Sequence, residues 1–176
     1  MSPLNHLKDP IKDYAKDIKL NLTAVLRQDP QSGLNNSQIM GIALSSAYAS
    51  KNETIVQNIS LLAKEYVSDD EVNAAKAAAS IMGMNNIYYR FIHLVSDKDY
   101  QTLPAGLRMN VIGNPGIKKV DFELYCLAVS AFNGCGMCID AHVHEAEKNY
   151  ISKTGVQHCI KIAAVVSAVD QALFIN

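Results

Sequence analysis

In the segment NGCGMCIDAHVHE two cysteines and a histidine stand at Cys135, Cys138 and His142. Spacings of three and four put all three groups on one face of a helix, within reach of one another. A thiol pair so placed can close a disulfide, supply half of a zinc site, or cycle as a redox couple. Near a helix N-terminus the unpaired N–H groups and the macrodipole favour thiolate over thiol. His142, one turn beyond Cys138, can take the thiol proton directly or through a water.

A base in that role needs an orienting partner, and the preceding segment offers Glu123. If two helices fold back antiparallel about Asn133–Gly134, Glu123 lies about 15 Å from the turn and His142 about 12 to 14 Å, at roughly 1.5 Å per residue. Their side chains then end at nearly one level. A carboxylate against one imidazole nitrogen fixes its tautomer and leaves the other nitrogen facing the sulfur. The cycle this permits has one thiolate attacking the O–O bond of a hydroperoxide, becoming a sulfenic acid that the second cysteine condenses with, and an external dithiol reopening the disulfide. Proximity to His142 assigns the attack to Cys138 and the resolving role to Cys135, whereas the helix terminus alone favours Cys135.

The zinc alternative lacks ligands: His144 points about 200° around the helix from His142, and no second C-x-x-C exists. No metal is expected. Cys126 and Cys159 sit in apolar surroundings and read as buried small hydrophobes, and His93 and His158 are given no role. Met137, between the two cysteines, and the segment IMGMNNIYYRF read as packing, with Gly83 marking a close helix contact.

These groups must be positioned by helices, and helix signals dominate the chain while no period-2 strand run stands out. Ser68 and Glu71 form a capping box opening an alanine-rich helix over Val72 to Met82. Further helices are expected at about 11–27, 37–49, 52–66, 85–96, 121–132 and 135–153. A last apolar stripe, Cys159, Ile162, Val166, Val169 and Leu173, follows a break at Gly155. Asn133 and Gly134 supply the turn and N-cap ahead of Cys135. Thr102 to Lys119, with two prolines and three glycines, reads as an irregular connector.

The connector joins two similar halves. Shifting the chain by 84 residues aligns Ala47, Ile55, Lys64, Tyr66, Ser68 and Val72 with Ala131, Ile139, Lys148, Tyr150, Ser152 and Val156. The expectation is a single all-α domain over 1–176, with a degenerate repeat at about 37–96 and a catalytic repeat at about 121–176 joined by the connector 102–119. Where the second half has Cys135, Cys138 and His142, the first has Lys51, Thr54 and Asn58. The scaffold recurs and the reactive groups do not, so the chemistry is confined to the second copy.

Composition narrows the setting. A net charge of -1 and scattered basic residues give no field for nucleic acid. The charged N-terminus has no apolar core of a secretory signal, and the apolar runs fall short of the roughly 18 residues of a membrane span. A soluble, cytoplasmic protein is expected, where thiols stay reduced and a C-x-x-C means catalysis or metal rather than a staple. Apolar residues at 49% hint at surface buried between subunits.

The pattern E-x11-C-x-x-C-x3-H, with AAASIMGMNNIYYR, LRMNVIGNPGI and FELYCLAVSAFNGC around it, resembles the AhpD alkyl hydroperoxide reductases of the AhpD/carboxymuconolactone decarboxylase-like family. The resemblance covers nearly the whole chain. It implies an all-helical homotrimer of two related halves, with no bound cofactor, acting as an antioxidant peroxidase on alkyl hydroperoxides. Its reductant would be dihydrolipoamide on a lipoylated acyltransferase subunit of a 2-oxoacid dehydrogenase, with electrons passing to the peroxiredoxin AhpC. It implies Cys138 attacking, Cys135 resolving, and His142 with Glu123 as proton relay. Some members carry a histidine where this chain has Met137. The rivals are a non-redox carboxymuconolactone decarboxylase-like enzyme and a zinc-holding helical oligomer.

Overall fold

A computed structural model describes residues 2–175, and among these the chain is all helical, without a strand. The helices are α1 (Pro3–Lys8), α2 (Lys16–Val25), α3 (Asn36–Ser50), α4 (Glu53–Ala63), α5 (Asp69–Leu94), α6 (Asn110–Gly113), α7 (Lys119–Phe132), α8 (Gly136–Lys148) and α9 (Lys153–Phe174).

Two helices form the centre because they are apolar on every side. In α3 every residue from Ile39 to Ala47 is buried, and in α7 every residue from Phe122 to Ser130. Two of the serines this encloses are satisfied within their own helix: Ser45 and Ser46 both donate to the Ile42 carbonyl, at 2.9 and 2.8 Å. The two central helices pack on each other, and α5 and α9 each pack against both. Helix α4 lies on α3 as α8 lies on α7, while α1 covers α4 and α2 covers α9.

Caps decide where the elements start. Asn35 and Gln38 form a reciprocal capping box at α3, Ser68 and Glu71 another at α5, and Ser152 caps α9 through the Gly155 amide. Glu71 also accepts from Ser37, tying α5 to α3. Burial pushes its carboxyl upward, but the hydrogen bonds from Ser37 and Ser68 and the nearby Lys118 charge hold it below the ordinary carboxylate range.

The order α3–α4–α5 is matched by α7–α8–α9. Asn36, Glu53 and Asp69 begin the first trio; Lys119, Gly136 and Lys153 begin the second, each within one residue of an 84-residue offset. We infer from this correspondence two copies of one three-helix unit.

Several boundaries differ from the sequence expectation. The segments 72–82 and 85–96 are one continuous helix, α5, since Gly83 costs too little to break a ladder anchored on both sides. Nor does Gly83 mark a close contact: a methyl there would meet nothing within 4 Å. The expected helix 135–153 stops at Lys148, because Tyr150 takes a left-handed conformation with φ 68° before Ser152 restarts the chain as α9. Gly155 lies inside α9, where the Ser32 carbonyl oxygen would sit 2.8 Å from an added Cβ. The segment 11–27 is a short 3-10 turn followed by α2, α1 precedes it, and the connector holds the single-turn helix α6.

The crossing of the central pair depends on Gly41. The fully buried Tyr125 ring lies against it, and a methyl there would overlap the phenol ring and its hydroxyl. Gly41→Ala is therefore expected to destabilise the protein by about 1–3 kcal/mol, as overpacking does. In a thermal melt this is a fall of roughly 2–4 °C per kcal/mol for a domain of this size. An unchanged melt would mean that Tyr125 moves aside freely.

Candidate active site

The reactive residues gather where α7, α8 and α5 meet. The α7–α8 turn is built by Asn133, which ends α7, and by Gly134 at φ 70°, a value that favours glycine. Helix α8 begins at Gly136, and its N-cap is Cys135 itself, whose sulfur lies 3.4 Å from the Cys138 amide nitrogen. This corrects the expectation that Asn133 and Gly134 would supply the cap. Their function is to hold the turn against α5. The Arg90 guanidinium donates to the Asn133 carbonyl at 2.7 Å, the Asn133 amide donates to Asn86 Oδ1 at 3.0 Å, and the Asn86 amide donates to Ser130 Oγ at 2.9 Å.

Cys135 and Cys138 are joined as a disulfide with their Cα atoms 5.3 Å apart, an ordinary separation for a bridged pair. Their surroundings differ. Cys135 is fully buried, while Cys138 is 6% exposed and lines a cavity of about 290 Å³. The cavity wall comes from three places: Met82, Asn85 and Tyr89 on α5; Met109 and Ile112 of the connector; Met137, Cys138, Ala141 and His142 on α8. Apart from Asn85, Tyr89 and His142 the lining is aliphatic and sulfur-bearing, suited to an apolar guest.

Glu123 and His142 meet across the α7–α8 hairpin. His142 Nδ1 lies 2.7 Å from Glu123 Oε2, and both residues are buried. With the carboxylate ionised, Nδ1–H donates to it, which fixes the ring's orientation and its tautomer. The other nitrogen does not face a cysteine: Nε2 lies 3.3 Å from the Met82 thioether. A thioether is a weak acceptor, so it is served by an Nε2–H. The disulfide state thus holds His142 between a carboxylate and a thioether, in place of the thiol that the sequence reading put at Nε2.

All four sequence-derived residues, Glu123, Cys135, Cys138 and His142, are brought together. Missed were Met82, Asn85 and Tyr89, in a segment read as packing, and Met109 and Ile112, in a connector given no role. Positions 82, 85 and 89 share one face of α5 at spacings of three and four, a stripe the sequence displays without saying what it faces.

Two further cysteines are silent. Burial pushes the Cys126 thiol well up, with the nearby Glu123 charge adding to it. Burial likewise raises Cys159, whose thiol donates to the Leu124 carbonyl at 3.3 Å. Since thiolate is the nucleophile, reduced native protein should alkylate at Cys138 first and Cys135 second, while Cys126 and Cys159 label only on unfolding. Peptide mass spectrometry after a timed iodoacetamide pulse checks this; early label at Cys126 or Cys159 would contradict it. His158 is structural, with Nδ1 3.0 Å from Ser32 Oγ and Nε2 donating to the Val25 carbonyl at 2.8 Å.

Among the described residues no group of three or more His, Cys, Asp or Glu side chains is arranged to hold a metal ion. No helix among them is long and apolar enough to cross a membrane.

Residues 98–175 match the carboxymuconolactone decarboxylase family model. A protein of Coxiella burnetii named alkyl hydroperoxide reductase AhpD is 56% identical over 173 residues, covering 98% of each chain. One of the same name from Streptomyces coelicolor is 49% identical over 170 residues, covering 97% of this chain and 94% of its own. Another from Azorhizobium caulinodans is 48% identical over 167 residues, covering 95% and 91%.

Proposed function

The chain belongs to the AhpD alkyl hydroperoxide reductases, and from that premise we propose that it is an antioxidant thiol peroxidase whose Cys135–Cys138 pair turns over alkyl hydroperoxides. The observation that carries this reading is a bridged cysteine pair with one sulfur on an apolar cavity, beside a buried histidine held by a carboxylate.

In the reduced protein Cys138 gives its proton to His142, and Glu123 balances the charge that the imidazole acquires. The Cys138 thiolate attacks the terminal oxygen of the hydroperoxide: an S–O bond forms, the O–O bond breaks, and the alkoxide leaves with its electron pair and takes a proton from His142. The resulting sulfenic acid condenses with the Cys135 thiol, releasing water and closing the disulfide. A dithiol then reopens it by exchange and is itself oxidised to a disulfide. The different burial of the two sulfurs supports Cys138 as the attacker, since a peroxide in the cavity reaches it and not Cys135.

The reductant we assign is dihydrolipoamide, carried by a lipoylated acyltransferase subunit of a 2-oxoacid dehydrogenase in the cytoplasm, with the peroxiredoxin AhpC as an onward electron acceptor. The working form is proposed to be a homotrimer. Ile87, Phe91 and Leu94 support subunit contact along α5, since they lie on its surface 66%, 46% and 71% exposed, an apolar stripe suited to burial against another copy. The carboxymuconolactone decarboxylase alternative gives no use for a redox pair.

The test is steady-state consumption of cumene hydroperoxide by the purified protein with dihydrolipoamide as the sole reductant. Turnover is expected, with one dithiol oxidised per peroxide reduced. No turnover with any of dihydrolipoamide, thioredoxin or glutathione would refute the peroxidase reading.

A further inference from the structure

Adjacent asparagines on α5 differ in a way packing does not explain. Both are buried, Asn85 at 4% exposure and Asn86 at 1%. Asn86 is fully employed: its Oδ1 accepts from Asn133 and its Nδ2 donates to Ser130. Asn85 Oδ1 has no hydrogen-bond partner among the described residues. A buried acceptor without a donor is costly to the fold and rare in native proteins. Among the described residues the other such side-chain atom, the Tyr125 hydroxyl, is wedged against Gly41 at the α3–α7 crossing. Asn85 instead is one of the residues lining the cavity; its Oδ1 is enclosed in this disulfide state, and its backbone carbonyl oxygen is 4.0 Å from Cys138 Sγ.

A leucine would fill the same volume without the penalty, in a wall that already holds Met82, Met109, Ile112 and Met137. An unspent acceptor in the wall of a mainly apolar site is the usual form of a specificity contact. What it lacks is a donor, and a hydroperoxide has one: the O–H of its terminal oxygen.

We propose that Asn85 is the hydroperoxide-orienting residue of this site, its side-chain carbonyl turning toward the cavity to accept the O–H of the bound hydroperoxide so that the terminal oxygen is presented to Cys138. The inference rests on the peroxidase reading. Holding that proton on Asn85 makes the OH the fragment transferred to sulfur and leaves the alkyl-bearing oxygen to depart as alkoxide, which His142 protonates. Electrons balance as in the cycle above, since the contact changes only which oxygen is attacked. Reduction of the disulfide by a dithiol transfers no O–H oxygen and needs no such acceptor, so Asn85 belongs to one half-reaction alone.

The experiment separates the halves. Fully reduced Asn85→Leu and Asn85→Ala proteins are mixed with cumene hydroperoxide and disulfide formation is followed in a single turnover. The oxidised proteins are then mixed with dihydrolipoamide and disulfide opening is followed. The oxidative rate constant should fall tenfold or more in both variants, the reductive one should change less than twofold, and the Asn85→Leu protein should melt no lower than the parent. The small Ala side chain excludes a blocked cavity as the cause. An oxidative rate within twofold of the parent, or equal losses in both halves with a lowered melt, would overturn the assignment and make Asn85 scaffold. A parent protein that exchanges with dithiol but is not oxidised by any hydroperoxide would sink the peroxidase reading itself.

Discussion

Cys138→Ser protein should consume no alkyl hydroperoxide above the uncatalysed rate, whatever dithiol is supplied. A serine hydroxyl is not ionised by an imidazole as a thiol is, and an alkoxide is a poor match for the O–O bond, so the first step is lost outright. Cys135→Ser should behave differently. Its Cys138 is still on the cavity and still beside His142, so it should reduce one equivalent of peroxide and stop, leaving a sulfenic acid with no neighbour to condense with. Trapping with dimedone and mass spectrometry distinguishes the two: an adduct at Cys138 in the Cys135→Ser protein and none in the Cys138→Ser protein. The reverse pattern, with dimedone on Cys135, would exchange the roles. Local geometry makes that a real contest, because Cys135 caps α8 and receives whatever the helix terminus contributes.

The second large effect is expected at Glu123. Glu123→Gln keeps the size and one hydrogen-bonding oxygen but removes the charge that balances His142 when it takes the thiol proton. The oxidative half-reaction should slow by roughly a hundredfold or more, in the range that a general base and its orienting group supply. His142→Ala should lose as much again, and the double variant little more than His142→Ala alone, because the two act as one unit. Stopped-flow oxidation of the reduced proteins by cumene hydroperoxide measures all three. Multiplying effects in the double variant would show that Glu123 works independently of His142. The charge is also buried, so removing its partner by His142→Ala strands it, and a loss of stability of about 3–5 kcal/mol is expected there. Glu123→Gln should be far milder, so a proportionate loss of rate in both variants would not track stability.

The sequence by itself determined what depends on near neighbours. Spacings of three and four fixed Cys135, Cys138 and His142 on one helical face, and Ser68 with Glu71 announced the start of α5, because caps and helical faces are properties of a few consecutive residues. Even the Glu123–His142 contact was within reach, since a two-residue turn folds α7 against α8 and leaves their levels computable from the rise per residue. Only tertiary structure decided what α5 faces. Met82 against His142, Asn85 beside Cys138, and Met109 and Ile112 closing the cavity are separated from the site by tens of residues or by an irregular connector. No local pattern reports which partner each face of so long a helix meets; that follows from how all the helices share one core. The same packing buried Cys135 and left Cys138 on the cavity, a difference two cysteines three residues apart cannot display in sequence, because burial is set by the neighbours that arrive from elsewhere in the chain.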